Sequence, residues 1–306
     1  MSSFEADAHA KINLALAVTG TRDDGYHELR SVFLRLTLHD RLEAELDPDA
    51  PSDQLEIEGE EVTAEGNLVL RAASRLRAAI DPSLPPLRFR LRKRIPAAAG
   101  LGGGSSDAAA AIDLALAAWG VRLHPAERLG AALRVGADVP FFTAGHSASL
   151  VEGIGEHVTE LPSLEPVAGI LLVTPRERLS TAEVFAEFDR QPASGALERV
   201  DEVVLLLREG VDGMTLAAST AMLREANDLW PAAVRLRPQL EGVRDLVSRT
   251  IGHAVLLTGS GPTLVAVYPS EAAATRAAVS LQATAAPELE GATIISTSTI
   301  ERGEHS

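Results

Sequence analysis

Four glycines, Gly100, Gly102, Gly103 and Gly104, fall within five positions and are followed by Ser105 and Ser106. Ahead of them runs the alternating segment Leu87 to Arg92, and behind them an alanine-rich stretch to Trp119. Strand, glycine loop and helix in that order let backbone N–H groups converge on one point, to which the helix adds its free N–H groups and positive dipole end. The chemistry this suits is anion binding, phosphate above all. Two common phosphate loops do not match: G-x-x-x-x-G-K-[ST] needs a lysine where Ser105 stands, and G-x-G-x-x-G needs a different spacing. The plain alternative is glycines that make room for packing. Other reactive or recognising groups lie elsewhere: Lys11 and Asn13 two residues apart, Tyr26 and His27 in a polar turn, and Asp138 just after Gly136. Taken singly, each has an ordinary reading as a solvated strand lysine, turn residues, or an aspartate closing a turn.

The elements that position these groups follow from periodicity. In Ala10 to Val18, alternation puts Ala10, Ile12, Leu14 and Leu16 on one strand face and Lys11 and Asn13 on the other, about 7 Å apart. Thr19 to Gly25 is a turn, and Leu29 to Leu38 completes a hairpin. Asn67 is an N-cap for a helix closed at Asp81-Pro82. Leu87, Phe89 and Leu91 alternate with Arg88, Arg90 and Arg92 in a half-buried strand, beyond which Lys93 reads as a solvated basic edge. The glycine loop opens a helix to Trp119, with Asp107 in its first turn favoured by the dipole. A further helix starts at His124-Pro125 and stops at Gly136, read as a C′ glycine. The Pro-rich stretch Leu161 to Pro166 divides two domains, 1–162 and 163–306. The second carries strands at Gly169 to Val173, Ala254 to Leu257, Thr263 to Tyr268 and Thr293 to Ile300, between helices, one of which opens with a Ser180/Glu183 capping box. Gly259, Ser260 and Gly261 form the tight turn between two of these strands. The fold class is α/β, of α+β type, ending in an α+β sandwich.

Composition narrows the function classes. The chain has 306 residues, 46% hydrophobic and 23% charged, which fits a folded globular protein and not a collagen-like or disordered one. It has no cysteine, which removes disulfides, thiolate metal sites and cysteine nucleophiles. A net charge of −15 argues against a nucleic-acid partner. Met1 to His9 lacks a signal peptide's basic start and apolar core, and no uncharged stretch reaches a membrane span, so no membrane partner and a cytoplasmic location are expected.

Three segments together resemble one family. Pro96 to Asp107, Ala10-Lys-Ile-Asn13 and Leu257-Thr-Gly-Ser-Gly-Pro-Thr263 match, in content and order, the GHMP kinases, named for galactokinase, homoserine, mevalonate and phosphomevalonate kinases. Within it, Gly25-Tyr-His-Glu-Leu29 with Gly136-Ala-Asp-Val-Pro140 is similar to the branch that phosphorylates the 2-hydroxyl of a cytidyl diphosphate-linked methylerythritol in non-mevalonate isoprenoid precursor biosynthesis. The resemblance implies a two-domain GHMP-kinase fold, an ATP-dependent small-molecule kinase, and a monomer or homodimer. It implies Lys11 and Asp138 as catalytic groups. It assigns ATP to Asn67, Lys93, Pro96, Ala97, Ala98, Ala99, Gly100, Leu101, Gly102, Gly103, Gly104, Ser105 and Ser106. It assigns the substrate to Asn13, Tyr26, His27, Thr181, Phe185, Gly259 and Ser260, with Tyr26 and Phe185 sandwiching the cytosine. Mg²⁺ is implied, with ligands unassigned. The sequence departs from relatives at Asp107, which often is Asn there; a carboxylate cannot donate to an adenine ring nitrogen as an amide does. A homoserine- or mevalonate-type kinase is the alternative substrate reading, and a nucleotide-binding regulator without catalysis is the alternative class.

Overall fold

A computed structural model of the chain describes residues 3–59, 63–64, 66–192 and 195–301. Met1, Ser2 and residues 302–306, included in the expected domain limits and, for the first two, in the signal-peptide reading, lie outside the described residues. The N-terminal hairpin is longer than the alternation predicts. Strand β1 covers Ser3–Thr21 and β2 covers His27–Leu46, antiparallel, with register slips at His9/Lys11, Asn13/Ala15 and Val18/Gly20. The slip after Asn13 adds a residue to β1 and shifts its alternation. Leu14 and Ala15 both enter the apolar cluster around Ile12, whereas Leu16 joins a different cluster, which corrects the single face expected through Leu16. The opposite face is not solvated: Lys11 and Asn13 are 4% and 3% exposed.

After the hairpin come β3 (Gln54–Glu58), α1 (Leu68–Ile80), β4 (Leu87–Arg92), α2 (Gly103–Trp119), α3 (Pro125–Val135), α4 (Val139–Ala144), β5 (Ala148–Gly153) and β6 (His157–Leu161). Strand β2 is the spine of this sheet. One edge pairs with β1, while the other is shared between β5, opposite residues 29–34, and β4, opposite residues 41–46. Asn67 caps α1 as expected, accepting from the Val69 N–H at 2.9 Å. Small side chains in α2 let it bury against α1 and the sheet: Ala108 to Ala111 all lie in one cluster with Val69, Ala72, Leu42 and Phe89. Gly136 ends α3 with φ of −178°, extended backbone open to any residue, and not the left-handed C′ conformation expected.

A second, four-stranded sheet follows in the order β10-β7-β9-β8 when its strands are numbered β7 (Gly169–Thr174), β8 (Leu256–Leu257), β9 (Leu264–Tyr268) and β10 (Thr293–Ser298). Its helices are α5 (Thr181–Arg190), α6 (Ala196–Arg208), α7 (Gly213–Ala218), α8 (Thr220–Leu223), α9 (Trp230–Leu236), α10 (Gln239–Ile251) and α11 (Glu271–Gln282). Ser180 is the N-cap of α5, but its side chain makes no capping bond, so the expected capping box is not formed. The two sheets share one apolar cluster, in which Ile12 and Leu34 meet Ile170, Leu172 and Val265. Single backbone bridges join Leu36 of β2 to Thr299, just beyond β10, and Leu16 of β1 to Asn227, in the segment between α8 and α9. No helix among the described residues is long and apolar enough to cross a membrane.

Candidate active site

The glycine loop owes its path to backbone conformations that side chains resist. Gly100 and Gly102 have φ of +78° and +72°. A Cβ on Gly100 would lie 3.0 Å from the carbonyl oxygens of Thr258 and Gly261, so this glycine is also where the loop meets the β8–β9 turn. A Cβ on Gly102 would lie 2.9 Å from both Lys11 Cγ and Phe142 Cζ. Gly102 is the N-cap of α2 and offers no side-chain cap, which leaves the helix's first N–H groups to a ligand. Gly103 serves packing: a Cβ there would meet Ile95 at 3.1 Å and Lys93 Nζ at 3.3 Å.

Opposite the loop, the bulged strand β1 delivers Lys11. Its backbone N–H donates to Leu101 O at 2.9 Å, and its ammonium donates to Asn13 Oδ1 at 2.6 Å, lies 3.4 Å from Asp138 Oδ2 and sits over the Phe33 ring at 4.5 Å. Asn13 in turn donates from Nδ2 to Ser31 Oγ at 2.9 Å, and its backbone N–H donates to Thr258 Oγ1 at 2.7 Å. Each polar atom thus fixes the next, and Asn13 orients the lysine. Asp138 occupies the N-cap position of α4 without making a capping bond. Its carboxylate is therefore free of the structural duty an aspartate at that place usually has, and it is about one-third exposed, into the pocket.

Lys93 is not a solvated edge. Its ammonium is buried between Asp40 and Asp107, donating to Asp107 Oδ2 at 2.8 Å and to Asp40 Oδ2. Asp40 also accepts from the backbone N–H groups of Arg94 and Ile95, fixing where β4 leaves the sheet for the glycine loop. Asp107 lies beyond the first turn of α2 and is 2% exposed, so burial beside Lys93, and not the helix dipole, is its environment. Burial pushes its carboxyl up to about 7, against the pull of the Lys93 charge, and its Oδ1 has no partner.

On the far side, Thr181 at the start of α5 shares a hydrogen bond with Ser260 at 2.9 Å. Gly259 and Gly261 take φ of +56° and +82° in the β8–β9 turn, as the expected hairpin requires. Asn227 pins this turn by donating from Nδ2 to Leu257 O and Gly259 O at 3.0 and 2.9 Å. The aromatic pair is His27 and Phe185, stacked with centroids 4.6 Å apart, while His27 Nε2 sits 2.7 Å from Asp189 Oδ1. Tyr26 stands outside this stack at 60% exposure.

One cavity of about 530 Å³ gathers most of the expected residues: Lys11, Asn13, Asn67, Lys93, residues 96–105, Asp138, Thr181, Phe185, Gly259 and Ser260. Ser106, Tyr26 and His27 do not line it. Ser106 is buried on another side of α2, against a different cavity, because the helix turns it away from its neighbour Ser105. Sequence reasoning missed Asn227, Thr258, Ser31 and Asp40. Asp40 had a signal, since it shares the alternation of the buried Leu42 and Ala44; the others become visible only once distant segments meet.

Family models for the GHMP kinase N-terminal and C-terminal domains match residues 67–146 and 215–286. The chain is 35% identical over 282 residues to 4-diphosphocytidyl-2-C-methyl-D-erythritol kinase of Symbiobacterium thermophilum, covering 89% of this chain and 93% of that protein. It is 38% identical over 290 residues to the enzyme of the same name from Paramagnetospirillum magneticum, covering 92% and 95%. A crystal structure of 4-(cytidine 5'-diphospho)-2C-methyl-D-erythritol kinase superposes with a TM-score of 0.72 at 31% identity, over 97% of this chain and 100% of that one. A mevalonate kinase structure superposes with a TM-score of 0.69 at 12% identity, a likeness of fold alone. Glycine loop, buried lysine and uncommitted aspartate meet at one cavity, and with relatives this similar over this much of its length the chain belongs to the GHMP kinases, in the family of the 4-diphosphocytidyl-2-C-methyl-D-erythritol kinases.

Proposed function

We propose that the chain is an ATP-dependent kinase that phosphorylates the 2-hydroxyl of 4-diphosphocytidyl-2-C-methyl-D-erythritol. The observation that carries this reading is the Lys11–Asp138 pair, 3.4 Å apart, on the wall facing the uncapped start of α2. ATP lays its phosphates along residues 100–105, where the backbone N–H groups lie, and its adenosine half toward Asn67 and Lys93. Asp138 holds the acceptor hydroxyl and takes its proton, help of about 10²–10⁴-fold. Lys11, oriented by Asn13, offsets charge on the transferring group. Mg²⁺ enters on the nucleotide's phosphates; no three His, Asp or Glu side chains among the described residues converge to hold an ion of their own.

The cytidyl end is proposed to dock at Phe185 and His27, with exposed Tyr26 closing over it and Thr181, Gly259 and Ser260 toward the substrate's phosphates. An aromatic face and a ring nitrogen suit a nucleobase, whereas a small acid such as mevalonate or homoserine has no use for them. The division of the chain at residues 162/163 is likewise proposed, in the stretch between β6 and β7. The test is ATP consumption with a panel of the cytidyl substrate, mevalonate and homoserine. The reading expects turnover with the first; turnover with either of the others alone overturns it.

A further inference from the structure

Ser31 stands wholly buried in the spine strand β2, paired with Leu16 of β1 and Val151 of β5 and followed by the apolar Val32, Phe33 and Leu34. A hydroxyl in such a place costs free energy unless it is hydrogen-bonded, and for packing alone an alanine would serve. Ser31 does not line the cavity at the glycine loop, yet its hydrogen bonds lead there.

Its Oγ donates to Ala15 O at 2.6 Å and accepts from Asn13 Nδ2 at 2.9 Å. Asn13 Oδ1 in turn accepts from the Lys11 ammonium at 2.6 Å. The two ends of this line fix its polarity, because the Ala15 carbonyl can only accept and the ammonium can only donate. The single proton of the Ser31 hydroxyl goes to the carbonyl, so the hydroxyl offers Asn13 only lone pairs. Asn13 must then turn its NH₂ toward Ser31 and its oxygen toward Lys11. A reversed amide would set NH₂ against the ammonium, donor against donor. The amide is confined sterically as well: a Cβ on Gly259 would lie 3.1 Å from Asn13 Oδ1, so the β8–β9 turn packs against it. The ammonium anchored in this way sits over the Phe33 ring at 4.5 Å and 3.4 Å from Asp138 Oδ2. Ser31 and Phe33, two positions apart on one face of β2, thus act on the same lysine, one through Asn13 and one directly.

We infer that Ser31 is a positioning residue for phosphoryl transfer: without touching substrate, its hydroxyl holds the Asn13 amide with its oxygen toward Lys11 and so fixes the ammonium opposite Asp138. This rests on the kinase reading of the Lys11–Asp138 pair. Without the hydroxyl, the buried Nδ2 of Asn13 loses its acceptor, and the amide is held by Lys11 alone.

The test is a double-mutant cycle on the whole chain with Ser31→Ala, Asn13→Ala and the double variant. Kinetics are measured with whichever of the cytidyl substrate, mevalonate and homoserine the wild type phosphorylates, so a failed substrate assignment leaves the cycle readable. Ser31→Ala should lower kcat about 3- to 10-fold and leave both KM values within about 2-fold of wild type. Because Ser31 acts through Asn13, the same change made in Asn13→Ala should alter kcat by less than about 2-fold. Should Ser31→Ala not fold, Ser31→Cys, whose thiol hydrogen-bonds only weakly, takes its place in the cycle with the same expectation. A second readout needs no substrate: the Asn13 side-chain NH₂ resonance, identified by its loss in Asn13→Ala, should exchange slowly with solvent in the wild type and faster in Ser31→Ala. Wild-type kcat in the Ser31 variant, an equal loss in both backgrounds, or unchanged exchange of the Asn13 amide overturns the inference.

Discussion

Replacing Asp107 by Asn tests the reading of the buried Asp40–Lys93–Asp107 cluster. Two carboxylates share one ammonium there, and Asp107 carries the excess charge: it is 2% exposed, its Oδ1 is unpartnered, and its carboxyl is raised from 3.8 to about 7, chiefly by burial. An acid weaker in the native than in the unfolded state leaves the native state holding more protons between those values. Its contribution to stability is therefore full below about pH 4 and is lost as pH rises to about 7. Three units correspond to about 4 kcal/mol. Asn loses none of this on alkalinisation, yet brings an amide NH₂ to an unpartnered position, so a net gain of about 2–3 kcal/mol above pH 7 is expected. At roughly 2 °C per kcal/mol this is about 4–6 °C in melting temperature. Scanning calorimetry of both proteins at pH 5, 6, 7 and 8 reads the difference, in which titrations common to the two proteins cancel. The gain should grow with pH and level off near pH 8. A difference independent of pH, or greatest at pH 5, would refute the reasoning.

Gly102→Ala forces a side chain into left-handed backbone and against Lys11 and Phe142, and should lower kcat at least 10-fold, whereas Gly104→Ala meets only Leu68 Cδ1 at 3.7 Å and should be tolerated; equal kcat values would undo the distinction. Phe185→Ala removes a stacking face worth about 1–3 kcal/mol and should raise KM for the cytidyl substrate roughly 5- to 150-fold while sparing KM for ATP. His27→Ala should raise the same KM by a smaller factor. A drop in melting temperature with normal kinetics in both variants would make the His27–Phe185 stack a packing feature. Asn13→Ala deprives Lys11 of its 2.6 Å anchor and should lower kcat about 10-fold with little change in either KM, which steady-state kinetics decides.

Much of this architecture is legible in the chain because local rules act alone. Asn67 caps α1, β4 alternates buried and exposed, and the glycine loop feeds α2, each set by a few neighbouring residues. The bulges in β1 are not legible, since they depend on the partner strand, and they decide which face Leu16 takes and how Lys11 enters the site. Lys93 reads as one more basic residue after Arg92, because its two carboxylates come from β2 and α2, 53 and 14 positions away. The Ser180–Glu183 pattern has the right spacing, yet its cap does not form. Arg35 likewise shows nothing in sequence; only the meeting of β2 and α4 buries it, with its guanidinium on the Phe141 and Phe142 carbonyl oxygens.

The central claim is transfer of the phosphoryl group to the 2-hydroxyl, with Asp138 acting on that oxygen. Carbon 2 of the methylerythritol unit carries a methyl group and no hydrogen, so the site of transfer is readable by proton-coupled ³¹P spectroscopy of a reaction with ATP and the cytidyl substrate. The account predicts a new phosphomonoester signal that is a singlet, and a rate of its appearance at least ~10²-fold lower in Asp138→Asn at unchanged nucleotide affinity. A doublet or triplet, from transfer to a hydroxyl on a carbon bearing hydrogen, would contradict it, and so would a singlet that Asp138→Asn forms at the wild-type rate.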